Sequence, residues 1–138
     1  MAGAAMAVQS GINAQLRAAT SHPILAAFVS FFTGTVVLAV MLFFSKQALP
    51  GLADYSNISW YKYTGGLLGV FIVITALVSV QQIGAANMFV LLIAGQLITA
   101  VVMDHLGVLG LKAQPVSLQK MAGILLLVAG VYLVNRSK

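Results

Sequence analysis

Five apolar stretches, each about one bilayer thick, fill almost the whole chain: Gly3–Ala19, Ile24–Ser45, Tyr63–Val80, Ala85–Met103 and Leu118–Val134. A helix rises about 1.5 Å per residue, so roughly 20 residues cross the ~30 Å hydrocarbon core. Five passes therefore account for nearly all of the 138 residues. Only 7% of the residues are charged and the mean hydropathy is +1.04, against about 25% charged residues in a typical soluble domain. Lipid offers the backbone no hydrogen bonds, which leaves helices or closed barrels. Barrel strands alternate apolar and polar residues over roughly 10 positions, whereas the second stretch is apolar on every side. The reading is an all-α, polytopic membrane protein with five transmembrane helices in one transmembrane domain, residues 1–138.

The formal charge of +5 does not point to nucleic acid, because the seven cations never form a basic run. Arg17, Lys46, Lys62, Lys112, Lys120, Arg136 and Lys138 stand at the ends of the stretches, where cations meet lipid headgroups. Five passes put Lys46, Lys62, Lys112 and Lys120 on one face and Arg17, Arg136 and Lys138 on the other. A difference of one is barely the excess that fixes orientation. Two readings stay open: the four-cation face is cytoplasmic, or the chain inserts both ways and pairs as an antiparallel dimer that mimics an inverted repeat. The absence of cysteine removes disulfides and thiolate metal sites. The first stretch lacks a basic leader and carries too many polar residues for a signal peptide, so it is read as a retained helix. Its abrupt start at Met1 leaves room for further residues ahead of it.

The links carry helix punctuation. Thr20-Ser21-His22-Pro23 joins the first two stretches, with Pro23 suited to a first helical turn. Lys46–Trp60 is the longest polar link and runs into Trp60, Tyr61 and Tyr63, an interfacial aromatic group. Gln81–Gly84 reads as a tight break. Asp104–Ser117 holds Gly107, Gly110 and Pro115, with Ser117 a candidate N-cap.

Helices in lipid associate through small residues that let backbones approach. Ala26, Ser30 and Gly34 recur at spacing four, Gly65 and Gly69 form a GxxxG, and Gly123 and Gly130 lie two turns apart. These are the expected packing surfaces. Polar residues within spans point to the bundle interior or to water. Gln9, Asn13 and Arg17 form a stripe at spacing four with Ser10 beside it, and Asn87 and Gln96 lie in the fourth stretch with Asp104 at its end. Gln9, Ser10, Asn13, Asn87 and Gln96 are the candidate cavity or substrate-binding residues, with interhelical hydrogen bonding as the alternative for each. Asp54 lies in the long link, so Asp104 with His105 is the candidate proton-coupling pair. No nucleophilic triad, metal cluster or phosphate loop occurs in the sequence, and neither an enzyme nor a cofactor is expected.

Met6–Gly34 and Gln82–Leu106 resemble the YdcZ family of the drug/metabolite transporter superfamily, small bacterial inner-membrane proteins regarded as exporters. The specific parts are Gln9-Ser10-Gly11-Ile12-Asn13, Gly84-Ala85-Ala86, Gly95-Gln96-Leu97 and Asp104; Gly123–Val134 is similar to the last helix of ten-helix members. The resemblance implies a five-helix half of an inverted-repeat transporter that works as a dimer. Four-helix members of the superfamily use a glutamate in their first helix for cation exchange, and this chain has no glutamate. The expected function is secondary transport by alternating access, exporting a small neutral or zwitterionic compound of unknown identity. The partners are the bilayer and a second copy, or a homologous half-size chain. A non-transporting membrane subunit is the competing class.

Overall fold

A computed structural model describes residues 1–46 and 50–136, and all regular structure among them is helical. Lys138 of the charge count lies outside the described residues. The long helices are α1 (Ala2–Thr20), α2 (Pro23–Phe44), α4 (Gly65–Ile83), α5 (Ala85–Leu106) and α6 (Leu118–Arg136), and α3 (Leu52–Ser56) is a single short turn. Four segments are long and apolar enough to cross a membrane: Pro23–Phe44, Trp60–Ile83, Ala85–Leu106 and Leu118–Arg136. At 19 residues α1 is of similar length, but its glutamines, asparagine and arginine make it less apolar.

Local chemistry sets the helix ends. Pro23 opens α2, and His22 caps it by accepting the Leu25 amide on Nδ1 at 3.3 Å. Ser117 caps α6 by accepting the Lys120 amide on Oγ at 3.2 Å. The long link is more ordered than its composition suggests. Asp54 accepts the Gly51 amide at 2.8 Å to start α3, and Trp60–Thr64 makes a 3-10 turn that feeds α4. The break expected over Gln81–Gly84 shrinks to one residue. The helix continues through Ile83, and Gly84 alone turns the chain at φ +80°, a conformation open to glycine. The α5 helix runs to Leu106, three residues past the expected Met103, so Asp104 and His105 belong to its last turn.

The chain divides into two units, Met1–Gln81 and Gln82–Lys138. In the first, Ala26, Ala27 and Leu77 are buried together, with Leu16, Val73 and Ile74 packed around them. The Leu77 side chain of α4 reaches the small residues Ala26 and Ala27 of α2, and the Arg17 guanidinium donates to the Leu77 carbonyl. Gly69 of α4 lies under the Phe31 ring, where a Cβ would stand 3.5 Å from its Cζ. In the second unit α5 packs along α6, with Asn87, Met88 and Ala94 buried. Most other large apolar side chains of the long helices are exposed, as expected of surfaces solvated by lipid rather than by water.

Candidate functional site

The polar stripe of α1 divides its labour. Gln9 and Asn13 face a groove between α1 and α2 with a volume of about 510 Å³, while Arg17, one turn further on, turns to Leu77 of α4. The α1 wall is completed by Ala5, Val8, Ile12 and Leu16, and the α2 wall consists of Val29, Ser30 and Thr33. The spacing explains the wall: positions 5, 9, 12, 13 and 16 fall on one side of a helix with about 3.6 residues per turn.

Asn13 is the unusual member. It is only 7% exposed, and no hydrogen bond is formed by its side chain among the described residues. Buried amides are normally paired. No described side-chain nitrogen or oxygen that is fully buried lacks a partner, so both polar atoms of Asn13 remain reachable from the groove. Gln9 is exposed at the same groove, and Ser10 is half-buried outside it. Ser30, expected as a packing residue, is half-buried and lines the groove. Thr33 also lines it, with its hydroxyl donating to the Val29 carbonyl at 2.9 Å. Its signal in the sequence is its place one turn beyond Ser30, next to the small-residue stripe of α2, which marks a packing face but not the helix that meets it.

The second unit holds the other candidates. Asn87 is 8% exposed, and its Nδ2 donates to the Ile83 carbonyl at 2.9 Å. That bond gives a partner to a carbonyl in the last turn of α4, where intrahelical donors run out. Gln96 is exposed. Nine residues separate it from Asn87, which places the two on opposite faces of α5, about 180° apart. Asp104 makes an ion pair with Lys120 at 3.8 Å, and Lys120 Nζ also donates to Gln114 Oε1 at 3.3 Å. The Gln114 amide donates to the Asp104 carbonyl at 2.8 Å, so the α5–α6 connection is tied to the end of α5. His105 is exposed and makes no bond to Asp104 among the described residues.

The packing candidates differ in their surroundings. Ala26 is fully buried and Gly69 meets Phe31, whereas Gly34, Gly65, Gly123 and Gly130 have no neighbour within 4 Å of where a Cβ would stand. No group of three or more metal-ligating side chains occurs among the described residues.

Residues 1–133 match the protein family described as "Putative inner membrane exporter, YdcZ". The Inner membrane protein YdcZ of Escherichia coli (strain K12) is 29% identical over 136 residues, which cover 98% of this chain and 90% of that protein. No solved structure matches.

Proposed function

The chain belongs to the family described as "Putative inner membrane exporter, YdcZ", and from that membership we propose that it exports a small organic molecule with the α1–α2 groove as part of the cargo path. It is a multi-pass inner-membrane protein, and the reading is transport rather than catalysis. Counting α1 with the four strongly apolar segments gives five passes, an odd number suited to half of an inverted-repeat transporter. A second copy, inserted in the opposite orientation, completes the pathway, and the two alternate access around it. The near-even distribution of Lys and Arg supports that arrangement.

The observation that carries the reading is Asn13, buried in the groove wall and yet without a side-chain hydrogen bond among the described residues. A helix-bridging asparagine would be bonded to the neighbouring helix. A cargo-binding asparagine keeps its amide free until cargo arrives. The non-transporting subunit gains no such support from this residue.

The test is efflux from proteoliposomes loaded with a cell metabolite extract and followed by mass spectrometry. At least one species should leave faster than from protein-free vesicles, and Asn13→Leu should abolish that difference. Undiminished efflux by Asn13→Leu removes the groove from the cargo path.

A further inference from the structure

Among the described residues, every side chain lining the α1–α2 groove is electrically neutral, and none of them is aromatic. The cation nearest along α1, Arg17, is engaged with the Leu77 carbonyl and does not line the groove. The two carboxylates are also committed elsewhere, Asp54 to the Gly51 amide and Asp104 to Lys120. A charged group entering such surroundings sheds part of its hydration, and neutral hydrogen-bonding groups replace that loss less well than a counter-charge or a ring face does. The groove offers organic cations neither a carboxylate nor an aromatic face. It offers organic anions no guanidinium or ammonium.

What it does offer is hydrogen bonding from neutral groups. The Asn13 amide can donate two bonds and accept others, and it is unengaged. Ser30 likewise has no side-chain hydrogen bond among the described residues. Around them Val8, Ile12, Leu16 and Val29 make an apolar wall. The volume of about 510 Å³ falls within the range of roughly 300–1,000 Å³ typical of drug-sized ligands. A lipid acyl chain would fit the wall but leave the Asn13 amide unused.

Resting on the export reading above, we infer that the cargo is an uncharged amphiphile, with an apolar body against the wall and an amide or alcohol that bonds Asn13 and Ser30. Charged and zwitterionic compounds are rejected by the cost of dehydration rather than by shape.

The absence of native cysteine gives a direct test. Thr33→Cys places a thiol in the groove, and Ser59→Cys places one at an exposed position of the link as a control. The full chain in lipid nanodiscs is labelled with N-ethylmaleimide in the presence of 2-naphthylacetamide, 2-naphthylacetate or 2-(2-naphthyl)ethylammonium. The amide should slow labelling at position 33 and not at 59. Its charged analogues should act at least about tenfold more weakly, roughly the factor that one unmade buried hydrogen bond or uncompensated charge commands. Asn13→Leu should keep the labelling and lose the protection by about the same factor. Asn13→Asp should make the ammonium the protecting probe.

The outcomes separate the two claims. If Thr33→Cys is never labelled, water does not reach the groove, and the export reading falls together with the cargo class. If labelling occurs but the ammonium or acetate protects as well as the amide, the cargo class is wrong and the groove stands. Protection by none of the three overturns the cargo class in the same way, and protection that survives Asn13→Leu removes Asn13 from recognition.

Discussion

Replacing Asn13 with leucine should leave the fold as stable as before, or more so, while abolishing export. The residue is 7% exposed and lines the groove without a side-chain hydrogen bond among the described residues. Leaving a buried polar group wholly unsatisfied costs about 1–3 kcal/mol. Asn13 suffers only part of that cost, because its polar atoms remain reachable from the groove. Taking half as a working fraction, leucine of similar size should return about 0.5–1.5 kcal/mol. An asparagine acting as interhelical glue predicts the opposite sign, a loss averaging about 0.6 and reaching about 2 kcal/mol. The assay is reversible unfolding of the full chain in mixed micelles of dodecyl maltoside and increasing dodecyl sulfate, followed by helical circular dichroism. A destabilisation above about 1 kcal/mol would refute the reasoning, since it would show that Asn13 holds helices together. Stability retained with export lost is the signature of a binding group.

Other consequences can be checked with the same preparations. Gly107 has φ +61°, and an added Cβ would stand 3.0 Å from the Ala113 Cβ, so Gly107→Ala should cost about 1–2 kcal/mol in the micelle titration. Gly123→Ala meets open space inside α6 and should be neutral or gain up to about 1 kcal/mol; equal effects at the two sites would contradict the backbone assignment. Asp104→Asn removes an ion pair whose side chains are about a third exposed, so it should cost less than about 1 kcal/mol, an effect that salt diminishes. If Asp104 also carries the coupling proton, the same variant flattens the pH profile of efflux, and an unchanged profile ends that role. Finally, Ser59→Cys in intact cells should be about half accessible to a membrane-impermeant maleimide before permeabilisation. All-or-none labelling would fix a single orientation and remove the antiparallel dimer.

Pattern and end signals were legible wherever one residue decides the outcome locally. Pro23 and Ser117 begin α2 and α6 as their chemistry requires, and the spacing of Gln9 and Asn13 put both on one side of α1, where the groove now holds them. What escaped the sequence depends on a second element. Lys120 meets Asp104 across 16 residues because Gly107, Leu109 and Gly110 all adopt left-handed backbone and turn the connection back, and no periodicity encodes that return. Asn87 looked equivalent to Asn13, a polar residue inside an apolar helix. Its position just after the Gly84 turn instead brings its amide to the Ile83 carbonyl, while Asn13, in mid-helix, has its own backbone already satisfied and nothing local to bind.

The same contrast explains why the least apolar helix is the informative one. A helix with Gln9, Asn13 and Arg17 on one side gains less from lipid than α2, α4, α5 or α6, and it must bring its polar groups to protein or to water. Arg17 does so by bonding Leu77, beside the tightly packed small residues Ala26 and Ala27. That contact anchors the end of α1 against α2 and α4. Toward the other end of the helix the walls are Ala5, Val8 and Ile12 against Val29, Ser30 and Thr33, and a space remains between them. Close packing at one end and a groove at the other are thus consequences of one sequence stripe, in which the arginine is used to hold the helix and the two amides are left free to be used. A variant that releases the anchor, Arg17→Ala, should therefore loosen α1 and reduce export together, whereas one that changes only Asn13 should separate the two. Measuring stability and efflux on both variants tests whether Arg17 acts as scaffold and Asn13, four positions away on the same helix, as the cargo-binding residue we propose.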